Sequence, residues 1–333
     1  MSKNNRLAVL TGVSAALALS VVLGFPVMTN AQALPPGWLA VGEPHSLKVS
    51  SATPKLPVAV TSDDGATVRI TDASRVIVGG DDVIGIMEAL GLGSRVFAAP
   101  ESSVTAAGRK APNHFLFNRT TGAEGVLSLD GTLFVGNSLR RHAKLSETLR
   151  KTGLPSIVID DLQPAPQKVR KTAAAFGLKN EGENLARELE RQYKQAETLA
   201  RQLPRRTRIL HISATGGGGR PTVGGKDTAA AQLIRLAGGV NVGDDAKAGD
   251  YTSLSNEGMV AAAPEVVLLT RSDLELFGGE AGIWRSYPAL KQTPAGQGNR
   301  IWVMPDEQLK IVGVHSGEGA LALANALKGL NSK

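Results

Sequence analysis

Two stretches of this chain repeat one pattern at one spacing, and that repeat limits the fold more than any other feature. Arg75-Val76-Ile77-Val78-Gly79-Gly80 reads as a buried strand entering a glycine turn. Arg208-Ile209-Leu210-His211-Ile212 begins 133 positions after Arg75 and reads as a strand of the same type. The same offset of 133 relates Glu124-Gly125-Val126-Leu127, followed by Leu133-Phe134-Val135, to Glu257-Gly258-Met259-Val260, followed by Val266-Val267-Leu268. Each unit runs from cap to short helix to apolar strand. Asp82 is expected to cap a helix over 83–90, ended by Gly91-Leu92-Gly93. Asp227 and Thr228 are expected to cap a helix ending before Gly238-Gly239. Two such arrays predict an α/β fold of two lobes with mainly parallel central sheets.

The remaining segments fall into place around these arrays. Lys3 and Arg6 precede a nearly continuous apolar run over 7–24, and Pro26 and Ala31-Gln32-Ala33 follow. That is the pattern of a cleavable export signal over residues 1–33. Residues 34–57 are Pro-rich and read as an extended lead-in, and 58–163 as the N-terminal lobe, opening with a hairpin around Asp64-Gly65. Leu185, Leu189, Ala196, Leu199 and Leu203 recur at helical spacing, with Glu188, Arg191, Lys194 and Glu197 opposite. This predicts one long amphipathic helix over 180–203, ended by Pro204, within a helical segment 164–204 that joins the lobes. Residues 205–333 form the C-terminal lobe.

Composition removes whole classes of chemistry. The chain has no cysteine. Disulfides, zinc–thiolate and iron–sulfur sites, cysteine catalysis and a lipidated N-terminal cysteine are therefore excluded. Loss of Lys3 and Arg6 with the leader lowers the net charge from +7 to +5, a spread-out surplus that makes no case for nucleic acid. Gly225-Lys226 lacks the rest of a phosphate-binding loop, because Arg220 and Asp227 occupy its first and last positions. Gly136-Asn137-Ser138-Leu139-Arg140 lacks the second glycine of a nucleophile elbow. The five histidines, at 45, 114, 142, 211 and 315, include no pair at helical metal-binding spacing. His211 lies within a strand and reads as a core residue with a satisfied hydrogen bond. A non-catalytic protein is expected.

The repeated segments carry a family resemblance. Arg75 to Gly80 with Glu88-Ala89-Leu90-Gly91 resembles the first lobe of ABC-transporter substrate-binding proteins. The subclass has two α/β lobes joined by a single helix and binds hemin, cobalamin or ferric siderophores. Gly224-Gly225-Lys226-Asp227-Thr228-Ala229-Ala230, Leu236-Ala237-Gly238-Gly239-Val240-Asn241 and Leu254-Ser255-Asn256-Glu257 with Ala262-Ala263-Pro264-Glu265-Val266 extend it. Gln292-Thr293-Pro294-Ala295-Gly296 and Val303-Met304-Pro305-Asp306 are similar to the hemin-binding branch. The resemblance spans about residues 58–330.

That resemblance implies a helical-backbone periplasmic binding protein that carries hemin as transported ligand. Its partners would be an inner-membrane permease, the ATPase subunit and an outer-membrane hemin receptor upstream. It implies a monomer, free in the periplasm. Glu124 and Glu257 match the glutamates that dock, one per lobe, onto permease arginines. Arg119 matches a propionate-binding arginine, and Tyr251 stands where hemin binders often carry an iron-ligating tyrosine. The chain also departs from the pattern. Phe117 replaces the first-lobe tyrosine, which leaves His114 as the alternative iron ligand from that loop. Ser253 replaces a basic residue, and Val314-His315-Ser316 stands for Gly-Pro-Arg, so His315 would replace the arginine or ligate. These departures keep cobalamin and a ferric siderophore open as ligands. A partner or sensor paralogue that no longer transports also stays open.

Overall fold

The computed structural model describes residues 34–43, 52–116, 122–217, 220–246 and 249–332. The expected leader 1–33, Phe117 and Arg119 lie outside the described residues. β1 (Leu39–Ala40) comes first. The hairpin β2 (Val58–Thr61) and β3 (Thr67–Ile70) pairs antiparallel around the Asp64-Gly65 turn. The first array follows: β4 (Val76–Val78), α1 (Asp81–Ala89), β5 (Val96–Pro100), α2 (Ala106–Lys110), β6 (Asn113–Phe115), α3 (Ala123–Leu127), β7 (Leu133–Gly136), α4 (Leu139–Lys151) and β8 (Ser156–Val158). Its five strands form one sheet in the order β6-β5-β4-β7-β8, parallel throughout. α5 (Ala165–Ala175) and the long α6 (Lys179–Arg201) lead out of it.

The second array contains β9 (Arg208–Gly217), β10 (Arg220–Gly224), α7 (Ala229–Leu236), β11 (Val240–Asn241), β12 (Tyr251–Thr252), α8 (Asn256–Ala262), β13 (Val266–Thr270), α9 (Arg271–Leu276), α10 (Glu280–Ser286), α11 (Pro294–Gln297), β14 (Ile301–Met304), α12 (Asp306–Leu309) and α13 (Ser316–Asn331). The sheet order is β1-β14-β13-β9-β10-β12, with β11 also on β9. Only β10 and β12 run antiparallel to their neighbours, so this sheet is mainly parallel.

Strands buried on both faces explain the apolar runs in the sequence. Val76 and Val78 enter one core while Ile77 enters another on the opposite face. β13 divides in the same way, with Val267 and Leu269 on one side and Val266 and Leu268 on the other. α6 bridges the lobes. Ala186 and Leu189 pack in the first-lobe core, Ala196 in a second-lobe core, and Tyr193 touches both. Among the described residues, no helix is long and apolar enough to cross a membrane.

Two expectations change in detail. Asp82 does not cap α1: the N-cap is Gly80, without a side-chain hydrogen bond, and Asp82 lies inside the first turn. Gly80 is required there, because a Cβ would stand 1.9 Å from Asn137 Nδ2. The lead-in carries β1, which pairs in parallel with β14 through Leu39–Trp302 and Ala40–Val303. At α7 the cap is Thr228, whose hydroxyl accepts from Ala231 N.

Candidate functional site

Each sheet reverses its winding direction once, and the crevice at that point is where open α/β sheets bind ligands. In the first lobe it lies between β4 and β7. Asp82 spans it: its Oδ1 accepts from Asn137 Nδ2 at 2.9 Å, and its Oδ2 from Lys168 Nζ at 2.9 Å. The pair is almost wholly buried, with side-chain exposures of 6% for Asp82 and 1% for Lys168. In the second lobe the reversal lies between β9 and β13. Asp273 spans it, accepting from Ser213 Oγ at 3.0 Å and Ala214 N at 2.9 Å. Lys310 pairs with Asp273 at 2.5 Å. Burial alone would raise the Asp273 carboxyl, but Lys310, His211 and Thr270 hold it down at about 2.

The two crevices therefore share one design, an aspartate tying two strand ends and neutralised by a lysine. Asp82, Lys168 and Lys310 all line one cleft of about 640 Å³ between the lobes. Tyr193 and Ser316 also line it and bond to each other at 2.6 Å. Leu162 stands 89% exposed at its edge, an apolar side chain in water unless something covers it.

The sequence-derived candidates take separate positions. His114 is exposed on the edge strand β6, with its Nε2 3.0 Å from the Gly108 carbonyl. Tyr251 is half-buried on the opposite lobe's edge strand β12. Its hydroxyl lies 3.4 Å from His211 Nε2. His211 Nδ1 lies 3.0 Å from the Leu268 carbonyl, which can only accept, so Nδ1 carries the proton and Nε2 accepts from Tyr251. Burial, and then Asp273, Asp250 and Asp306, raise the Tyr251 hydroxyl above the ordinary phenol range. His315 is buried, with Nε2 3.2 Å from Glu307 Oε2, among tightly packed residues beside Asp82. None of these three lines the large cleft. Glu124 and Glu257 are both exposed, each the second residue of its helix, α3 and α8. Among the described residues, no cluster of three or more histidines and carboxylates is placed to hold a metal ion.

Lys168, Lys310 and Asp273 were invisible to motif reasoning, because each meets its partner only in the fold. Asp273, just after the apolar strand β13, is the one of the three with a local hint.

Two buried histidines set a pH response. Burial pushes His142 down to about 4, helped by Arg141 and opposed by Asp82. Burial pushes His211 to about 4 as well, helped by Lys310 and opposed by Asp273, the Leu268 carbonyl and Asp306. The unfolded chain binds these protons near 6.5, so the stability is complete above that value and is lost as pH falls towards 4. Each histidine should contribute about 2–3 kcal/mol to that loss. Asp81 and Asp161, raised by burial, act in the opposite direction. Urea midpoints should fall steeply between pH 7 and pH 4.5; a flat profile would contradict burial of the two rings.

Solved structures share this architecture. The apo form of the periplasmic heme-binding protein RhuT from Roseiflexus sp. RS-1 is 31% identical, covers 78% of this chain and 99% of its own, and superposes with a TM-score of 0.68. The periplasmic heme-binding protein BhuT in complex with two hemes is 25% identical, covering 76% of this chain and 98% of its own, with a TM-score of 0.63. The periplasmic heme-binding protein HutB of Vibrio cholerae, 24% identical over 78% of this chain and 99% of its own, has a TM-score of 0.59 and supports the fold alone. No curated protein matches the chain by sequence. Residues 76–308 match the periplasmic binding protein family model, from the strand β4 of the first sheet to Gln308 in α12, and the chain belongs to that family.

Proposed function

We propose that this protein captures heme, as ferric hemin, between its two lobes and presents it to the permease of an ABC importer. The observation that carries this reading is the 31% identity to a periplasmic heme-binding protein matched over 99% of that protein's length. Closing the lobes on a flat macrocycle would remove apolar surface from water, including Leu162, at about 25 cal/mol per Å². Lys168 and Lys310 supply cations to the cleft, but each is matched by an aspartate. Affinity then rests on apolar burial and on the iron.

Ferric iron takes phenolate or imidazole, and propionates take guanidinium. We assign Tyr251 and His114 as the iron ligands, one from each lobe, and Arg119 as a propionate partner. Ligation requires the Tyr251 hydroxyl to leave His211 and lose its proton. His315 would reach the ligand only by leaving Glu307. Glu124 and Glu257 dock on the permease, the ATP being consumed by the partner's ATPase subunit. Residues 1–33 would direct export and be cleaved off in the process. The mature protein would act as a periplasmic monomer, fed by an outer-membrane receptor.

The inward-turned Tyr251 hydroxyl and Phe117 favour, as a second reading, the same fold with cobalamin or a ferric siderophore. Visible spectra of the hemin complex separate the two. Tyr251→Phe and His114→Ala should each shift the Soret band and weaken binding by about tenfold or more, equivalent to at least about 1.4 kcal/mol. Unchanged spectra in both variants would remove these residues from the ligand set.

A further inference from the structure

The first described residues, 34–43, lie on the second lobe. Trp38 is buried there and its Nε1 donates to Asn299 Oδ1 at 3.2 Å, while Asn299 Nδ2 donates to the Pro36 carbonyl at 2.6 Å. Val41 N donates to the Val303 carbonyl at 2.9 Å, extending the β1–β14 pairing by one bond. At Glu43 the strap meets Gln308. Gln308 Nε2 donates to the Glu43 carbonyl at 2.9 Å. Gly42 has a φ of +78°, and a Cβ there would stand 2.1 Å from Gln308 Oε1. Only a glycine lets the strap turn against that amide.

Gln308 is also a wall of the cleft, with Leu309, Lys310, Ile311 and Val312 after it. None of residues 34–43 lines the cleft. Gln308 is 97% buried by its 3% exposure, and Gly319 closes on it from behind, where a Cβ would meet the Gln308 carbonyl oxygen at 2.6 Å. Gln308 is therefore held by the strap at its side-chain amide and by α13 at its backbone, and the cleft wall continues directly from it. Lys310, two residues on, is the partner of Asp273.

We infer that the strap is a positioning element for the ligand cleft: Gly42 and Glu43 hold Gln308, and Gln308 holds the wall 308–312 that carries Lys310. Residues far from the ligand thus set its affinity through one buried amide. This deepens the heme-capture reading and rests on it for its ligand, but the wall itself can be followed without one.

The test uses the mature chain with Gly42→Ala, Trp38→Ala, Gln308→Ala and the Gly42→Ala/Gln308→Ala pair. Hemin affinity is read by titration, the wall by amide exchange of 306–312 without ligand, and the fold by its melting temperature. Gly42→Ala should weaken hemin binding by about tenfold and speed exchange of 306–312, with Trp38→Ala acting in the same direction. In the Gln308→Ala background, Gly42→Ala should add little, because the route through the amide is already cut. A lower melting temperature with unchanged affinity and unchanged 306–312 exchange would overturn the inference and leave the strap purely structural. If the native chain takes no hemin, the heme reading fails, and the exchange arm alone still decides whether the strap holds the wall.

Discussion

Lys168→Met should destabilise the protein by about 3–5 kcal/mol, because it removes the partner of a buried carboxylate. Asp82 would keep only the amide of Asn137 and the positive end of α1. Neither replaces an ammonium at 2.9 Å beside a carboxylate that is itself only 6% exposed. The pair as a whole is a weaker stabiliser than its rupture suggests, since burying both charges carries its own desolvation cost. The double variant Asp82→Asn/Lys168→Met should therefore recover much of the loss. Urea unfolding of the three proteins reads both effects. A single variant within about 0.5 kcal/mol of the native chain, the range of an ordinary surface change, would mean that the pair is solvated.

Glu124→Ala combined with Glu257→Ala should abolish importer-dependent uptake while leaving ligand affinity where it was. Both carboxylates are exposed, and each follows the edge strand of its own sheet, β6 and β12. They occupy the same helical position in the two halves of the repeat. A first-turn acid gains only about 0.3–1 kcal/mol from the helix dipole, so folding should survive the change. Two like charges held at fixed positions on a rigid body instead set orientation on a basic partner, chiefly through encounter rate. Each single variant should lower uptake, with weaker inhibition by salt than in the native protein, because fewer charges are left to screen. Full uptake by the double variant would place docking elsewhere.

The arrays were legible because a strand buried on both faces leaves an unbroken apolar run, as at Val76–Val78 and Val266–Thr270. The repeat offset located α3 and α8 correctly for the same reason: cap, short helix and strand are local patterns. α6 was legible from its apolar stripe. Asp82 reads as a cap in the sequence because a carboxylate opens an apolar helix, whereas its partner Lys168 is 86 residues away. Tyr251 and His211 meet only through the β9–β10–β12 register, across 40 residues. β1 is two residues long, too short to show alternation, and exists because β14 offers an open edge. Local grammar thus revealed the scaffold, and the cleft chemistry stayed hidden because pairs distant in sequence build it.

The central claim is that the cleft between the lobes takes heme. Titrating the purified mature protein with hemin, at micromolar concentration, while recording the visible spectrum tests it most directly. A saturable Soret shift with a defined stoichiometry is the predicted result. A spectrum that changes only in proportion to added hemin, without saturation, would contradict the claim and move the ligand to another class.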